Sequence, residues 1–82
     1  SAYMSLGYDK AALRILEQSS QTAETQYMQA ILNARLGNEQ RAVSLLLSAA
    51  EVDDRIRFRA NLDPELSLLV KKYGLFKEDD LW

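Results

Sequence analysis

One short pattern occurs twice in the first half of the chain. Leu6-Gly7, Ala12-Leu13 and Leu16 are answered by Leu36-Gly37, Ala42-Val43 and Leu46, so that Gly7 and Gly37, like Ala12 and Ala42, stand 30 residues apart. A fixed period of this size marks a helical repeat, in which each unit stacks on its neighbour because it cannot bury its apolar face alone. The spacing predicts an all-α fold built from antiparallel helical hairpins.

The helices can be read from their faces. At 100° per residue, Ala12, Leu13, Ile15 and Leu16 fall on one side of Asp9–Gln18, with Lys10, Arg14 and Glu17 opposite. Glu39–Val52 repeats the arrangement, with Ala42, Val43, Leu45, Leu46, Ala49 and Ala50 against Gln40, Ser44, Ser48 and Glu51. Between them, Ala23–Leu36 is apolar most of the way round, leaving Gln26, Gln29 and Asn33 as a narrow polar strip. Such a helix is expected to be packed on several sides. Thr22 or Ser20 can cap its start and Gly37-Asn38 its end, and connectors this short make successive helices antiparallel.

Beyond Val52, Asp53-Asp54 offers a cap for a short helix to about Asn61, although Ile56, Phe58 and Ala60 alternate as a strand would. A lone strand would have no partner to bond, which favours the helix. The last helix is expected to start with Asp63 as N-cap and Pro64 in its first position. It carries Leu66, Leu69, Val70 and Tyr73 on one face and closes at Gly74, with Leu75 against Val70. The whole reads as one domain: a partial unit over 1–18, a full unit over 22–53, capping helices over 54–75 and a tail over 76–82.

The small and large positions of the full unit, Tyr27, Ala30, Gly37, Ala42, Leu46 and Ala49, resemble a tetratricopeptide repeat. Two departures stand out: a period of 30 in place of the family's 34, and Gln26 where the family carries an aromatic. Residues 54–75 resemble the irregular helical end of some bacterial repeat proteins, where a polar outer side keeps the array soluble. The resemblance implies a protein-interaction or scaffolding module that binds a peptide in a groove lined by inner helices. The matching positions here are Glu24, Tyr27, Ile31, Ala34 and Arg35. Glu24 and Arg35 lie about 16 Å apart along a helix, too far to pair with each other, so each needs water or another partner. Tyr27, Met28 and Ile31 stand where some members carry a carboxylate-binding Lys and Asn, which argues for apolar anchors in an extended or helical peptide.

Other classes find less support. The chain has no His and no Cys, and its three glycines form no phosphate loop, so no enzyme and no cofactor is expected. Arg55, Arg57 and Arg59 with Lys71 and Lys72 make the best case for nucleic acid, but Asp53, Asp54, Asp63 and Glu65 flank them and predict a salt-bridged face. A net charge of −2 steers the molecule toward neither nucleic acid nor an anionic membrane. The longest apolar run, Ala42 to Ala50, is broken by Ser44 and Ser48 and is too short to span a bilayer, so no membrane insertion is expected. The acidic run Glu78-Asp79-Asp80 reads as a solvated end, with Trp82 docked on the body or on a neighbouring segment. The absence of cysteine fits any compartment.

The sequence carries no initiator Met, and its first unit begins in mid-pattern, as expected of a piece of a longer protein. That leaves two further readings. The chain could be a structural cap for a larger repeat array, with no external ligand. Alternatively, with half a unit missing, Leu13 and Ile15 should be partly uncovered, predicting self-association through that edge.

Overall fold

The computed structural model describes residues 2–76, with side chains from Gly7 onward, and its regular elements are all helices. They are α1 (Ala2–Gln18), α2 (Ala23–Arg35), α3 (Glu39–Val52), α4 (Arg55–Leu62) and α5 (Ser67–Lys72). The alternating stretch after Asp54 is therefore helical, and no strand occurs among the described residues. None of these helices is long and apolar enough to cross a membrane.

Local chemistry sets the boundaries. Thr22 sits in extended conformation and its hydroxyl accepts the Thr25 amide at 3.2 Å, while Thr25 Oγ1 accepts the Thr22 amide at 2.8 Å. This is a reciprocal capping box with threonine in the place usually held by Glu or Gln. The helix ends at Gly37, whose φ of +83° lets the Asn38 amide reach back to the Asn33 carbonyl at 2.8 Å. Gly74, at φ +62°, closes α5 in the same way, with the Leu75 amide 2.8 Å from the Val70 carbonyl. Both are Schellman ends, where a left-handed residue costs glycine little.

Two boundaries differ from expectation. α5 begins at Ser67 and not at Pro64, because Asp63 organises a separate turn first. Its Oδ1 accepts the Glu65 amide at 2.9 Å and its carbonyl accepts the Leu66 and Ser67 amides at 3.1 and 2.8 Å. α1 is also longer than its amphipathic stretch, so Gly7 lies inside a helix where its 30-residue counterpart Gly37 ends one. The repeat in sequence is not a repeat of turn geometry at that glycine.

The core belongs to α2, α3 and the segments C-terminal to them. Tyr27, Ala30, Ala42, Leu46 and Ala49 are fully buried between α2 and α3, and Ile56, Ala60, Leu66, Leu69, Val70 and Phe76 close the same cluster. Alanine at Ala30, Ala42 and Ala49 leaves no bulk between the helices, which lets them approach closely while Tyr27 and Leu46 fill the gaps. α1 packs on α2 and contributes no residue to this cluster.

With α1 in place, the polar strip of α2 is not solvated. Gln29 and Asn33 are buried, with Gln29 Nε2 donating to Gln21 Oε1 at 2.8 Å and Asn33 Nδ2 to the Gln29 carbonyl at 2.8 Å. Burial of these amides is tolerable because each has partners. Met28, an apolar residue of the same helix, is exposed instead.

Candidate functional site

The groove face expected on α2 is real as a face, since Glu24, Tyr27, Ile31, Ala34 and Arg35 project from one side of the helix. The chain itself covers its middle, Tyr27 and Ile31, while Glu24 and Arg35 at its ends are paired but exposed. The Arg59 guanidinium grips the Glu24 carboxylate in a bidentate pair (Nη1 to Oε2 2.7 Å, Nη2 to Oε1 3.2 Å) and lies 4.2 Å above the centre of the Tyr27 ring. Tyr27 is 0% exposed, and its hydroxyl donates to Asp63 Oδ2 at 2.7 Å. Arg35 makes a second bidentate pair, with Glu65 (Nε to Oε1 2.6 Å, Nη2 to Oε2 3.0 Å), and its Nη1 donates to Asp9 Oδ1 at 3.2 Å. Ile31 is buried in the core and Ala34 is half-buried.

Glu24 and Arg35 thus find partners, as two charges on an apolar face must, but the partners are intramolecular. Arg35 does not simply extend its head into solvent. Asp9, Arg59, Asp63 and Glu65 are the members of this arrangement that a reading of α2 alone overlooks. A signal for them does exist in the sequence. α2 runs acid (Glu24), hydroxyl (Tyr27), base (Arg35), and 59–65 runs base (Arg59), acid (Asp63), acid (Glu65), which is the complement in the same order. The order is parallel because α3 reverses the chain between the two segments.

The electrostatics follow the pairing. The Arg59 hydrogen bonds hold the Glu24 carboxyl below its ordinary value, outweighing the opposing desolvation. Burial, then the hydrogen bond to the Asp63 carboxylate, pushes the Tyr27 phenol above its ordinary value. Arg35 is held more firmly protonated, chiefly by its hydrogen bond to Glu65. These shifts favour the charge states the groups already hold at neutral pH.

The basic segment is drawn into pairs as well. Arg55 Nη2 lies 2.9 Å from Asp53 Oδ2, Arg57 lies 3.8 Å from Asp54, and Lys72 Nζ lies 2.7 Å from Glu39 Oε1. Asp53 also accepts the Arg55 amide at 3.0 Å just ahead of α4, while Asp54, at the N-cap position, makes no side-chain cap. Among the described residues no group of His, Cys, Asp and Glu is placed to hold a metal ion. Glu78, Asp79, Asp80 and Trp82 lie outside the described residues.

Apolar side chains are left open on α1, and others on the remaining helices, among them Val52, Leu62 and Leu68. Ala12, Leu13 and Leu16 are half-buried, on the side toward α2, but Tyr8 is 72% and Ile15 66% exposed, with exposed Ala11 between them. The expected uncovering of Leu13 and Ile15 is therefore seen, strongly at Ile15. A second scatter of exposed apolar residues, Phe58, Leu62 and Leu68, lies at the opposite end of the chain. No family model, no curated protein and no solved structure matches the chain.

Proposed function

We propose that this chain is a non-catalytic helical docking unit that engages a helical partner through the open face of α1, in the manner of an end unit of a tetratricopeptide-like stack. The observation that carries the reading is the contrast between two faces of comparable apolar content. The apolar middle of the α2 face is buried, with Arg59, Asp63 and Glu65 paired to its polar groups, whereas Tyr8, Ala11 and Ile15 on α1 are exposed. An uncovered apolar stripe on a small soluble helix marks a contact surface. The helix is then a layer with neighbours on two sides, α2 on one and the partner on the other.

Ion pairs along 53–59 leave little net positive charge for phosphates, which weighs against the nucleic-acid reading. A photoreactive side chain placed at Ile15 should form adducts in living cells, and one at Ala34 should not. Adducts from Ala34 with none from Ile15 would overturn the proposal and restore the groove on α2.

A further inference from the structure

The Arg35 guanidinium serves two carboxylates, and serves the buried one worse. The Asp9 side chain, on α1, is 6% exposed, and that of Glu65, in the turn before α5, is 39% exposed. A carboxylate that has lost its water depends heavily on its partners, and an exposed one does not. The bonds are shared out the other way. Glu65 takes the Nε and Nη2 edge of Arg35 at 2.6 and 3.0 Å, and Asp9 takes a single bond from Nη1 at 3.2 Å. Glu65 is also the larger cause of the firm protonation of Arg35, ahead of Asp9.

We infer that Glu65 is a built-in brake on the seating of α1 against α2: by occupying the bidentate edge of Arg35 it holds the Asp9 contact below its full strength. Two effects act in this direction. The Nε and Nη2 edge can grip one carboxylate at a time. The two acids, held on one cation, also repel each other, so the charge of Glu65 lowers what Asp9 gains from Arg35. One effect opposes them, because Glu65 orders a long side chain that Asp9 would otherwise have to order alone. The electrostatic effects prevail, since they act on a buried carboxylate where screening by water is weak.

The brake matters because α1 has little else to hold it. It contributes no residue to the main core cluster, and Ala12, Leu13 and Leu16 are only half-buried. With so few contacts setting the balance between a seated and an unseated α1, a group that draws Glu65 off Arg35 shifts it toward the seated state. Glu65 is open to such a group, being exposed on a turn. This holds whatever the open face of α1 engages.

Glu65→Gln removes the charge and keeps the shape. Native-state amide exchange around Leu16 in that variant should slow by roughly 3–10-fold, measured against the amides around Leu46 in α3 as the reference for global stability. Adding Asp9→Asn should remove the gain, because the brake works through that contact. Exchange around Leu16 that is unchanged or faster in Glu65→Gln overturns the inference, and faster exchange would make Glu65 a support for α1 instead. A gain that survives Asp9→Asn overturns it too, since Glu65 would then act on α1 by another route.

Discussion

α1 and α3 carry the same apolar pattern 30 residues apart and come to different ends. Ala42 and Leu46 are fully buried, while their counterparts Ala12 and Leu16 are only half-buried. From Ala12 to Leu16 and from Ala42 to Leu46 the pattern hardly distinguishes them, although Ala49-Ala50 of α3 answer to Ser19-Ser20 past the end of α1. The difference lies in the neighbours: α3 packs against α2, α4 and α5, whereas α1 packs on α2. An amphipathic repeat thus specifies which side of a helix is sticky, and the surrounding chain decides how much of that side is covered.

Truncating the two helices at equivalent positions gives the largest expected separation. Leu46→Ala should destabilise by about 2–5 kcal/mol, as a cavity in a closed core does, and Leu16→Ala by about 1 kcal/mol, since its site is half open. Chemical denaturation of the two variants checks this, and equal losses would break the comparison.

Next in size is Arg35→Ala, which tests what ties α1 to the rest. Arg35 joins α1 (Asp9) to the turn before α5 (Glu65), and Asp9 is only 4% exposed. Removing the guanidinium leaves that carboxylate without this cation, at a cost of about 1–3 kcal/mol. An unaltered melting temperature would show that the link contributes nothing.

The repeat-related glycines should respond with opposite signs. A Cβ at Gly7 or at Gly37 would meet no atom within 4 Å, so packing does not decide either case. Gly37→Ala forces alanine to φ +83° and should cost about 1 kcal/mol. Gly7→Ala, inside α1, should stabilise by about 0.5–1 kcal/mol. Destabilisation at both positions would mean that α1 is not helical through residue 7.

The smallest effects are those of pH. Glu24 is held below its unfolded value by Arg59, Glu39 by Lys72 and Tyr73, and Asp53 by Arg55. For a lowered carboxyl the stabilisation is present above the unfolded pKa, about 4, and is lost as pH falls through the folded value, so stability should decline on acidification below that point. Tyr27 has the opposite sign: its pKa is raised, so its contribution holds below about pH 10 and disappears as pH climbs through the folded value. In an ultraviolet titration Tyr27 should ionise above the ordinary tyrosine range, and Tyr27→Phe should abolish that late step. Acid denaturation shows the first effect; a melting temperature flat from pH 5 to about 2 would contradict it.

Part of the fold was written locally. The Thr22 cap and the two glycine ends follow from residues acting on their own backbone within a few positions, whereas the span of α3 is legible from its amphipathic period and the helical character of 55–62 from the lack of a strand to pair with. The filling of the α2 face was not legible in that way. It depends on α3 reversing the chain so that Arg59 and Glu65 arrive opposite Glu24 and Arg35, a relation over 30 or more residues that periodicity does not encode. For the same reason Tyr27 and Ile31, read as anchors for a ligand, serve as core. Gln29 and Asn33, read as a polar strip, are buried because Gln21 and the backbone satisfy them.

Native-state amide hydrogen exchange measures the contrast between α1 and α3 most directly. Local stability follows buried apolar contact, so core helices open only with the whole protein and edge helices open sooner. The amides around Leu46 in α3 should exchange through global unfolding, and those around Leu16 in α1 at a distinctly lower opening free energy. Equal protection at the two sites would contradict the view that similar patterns have met different surroundings.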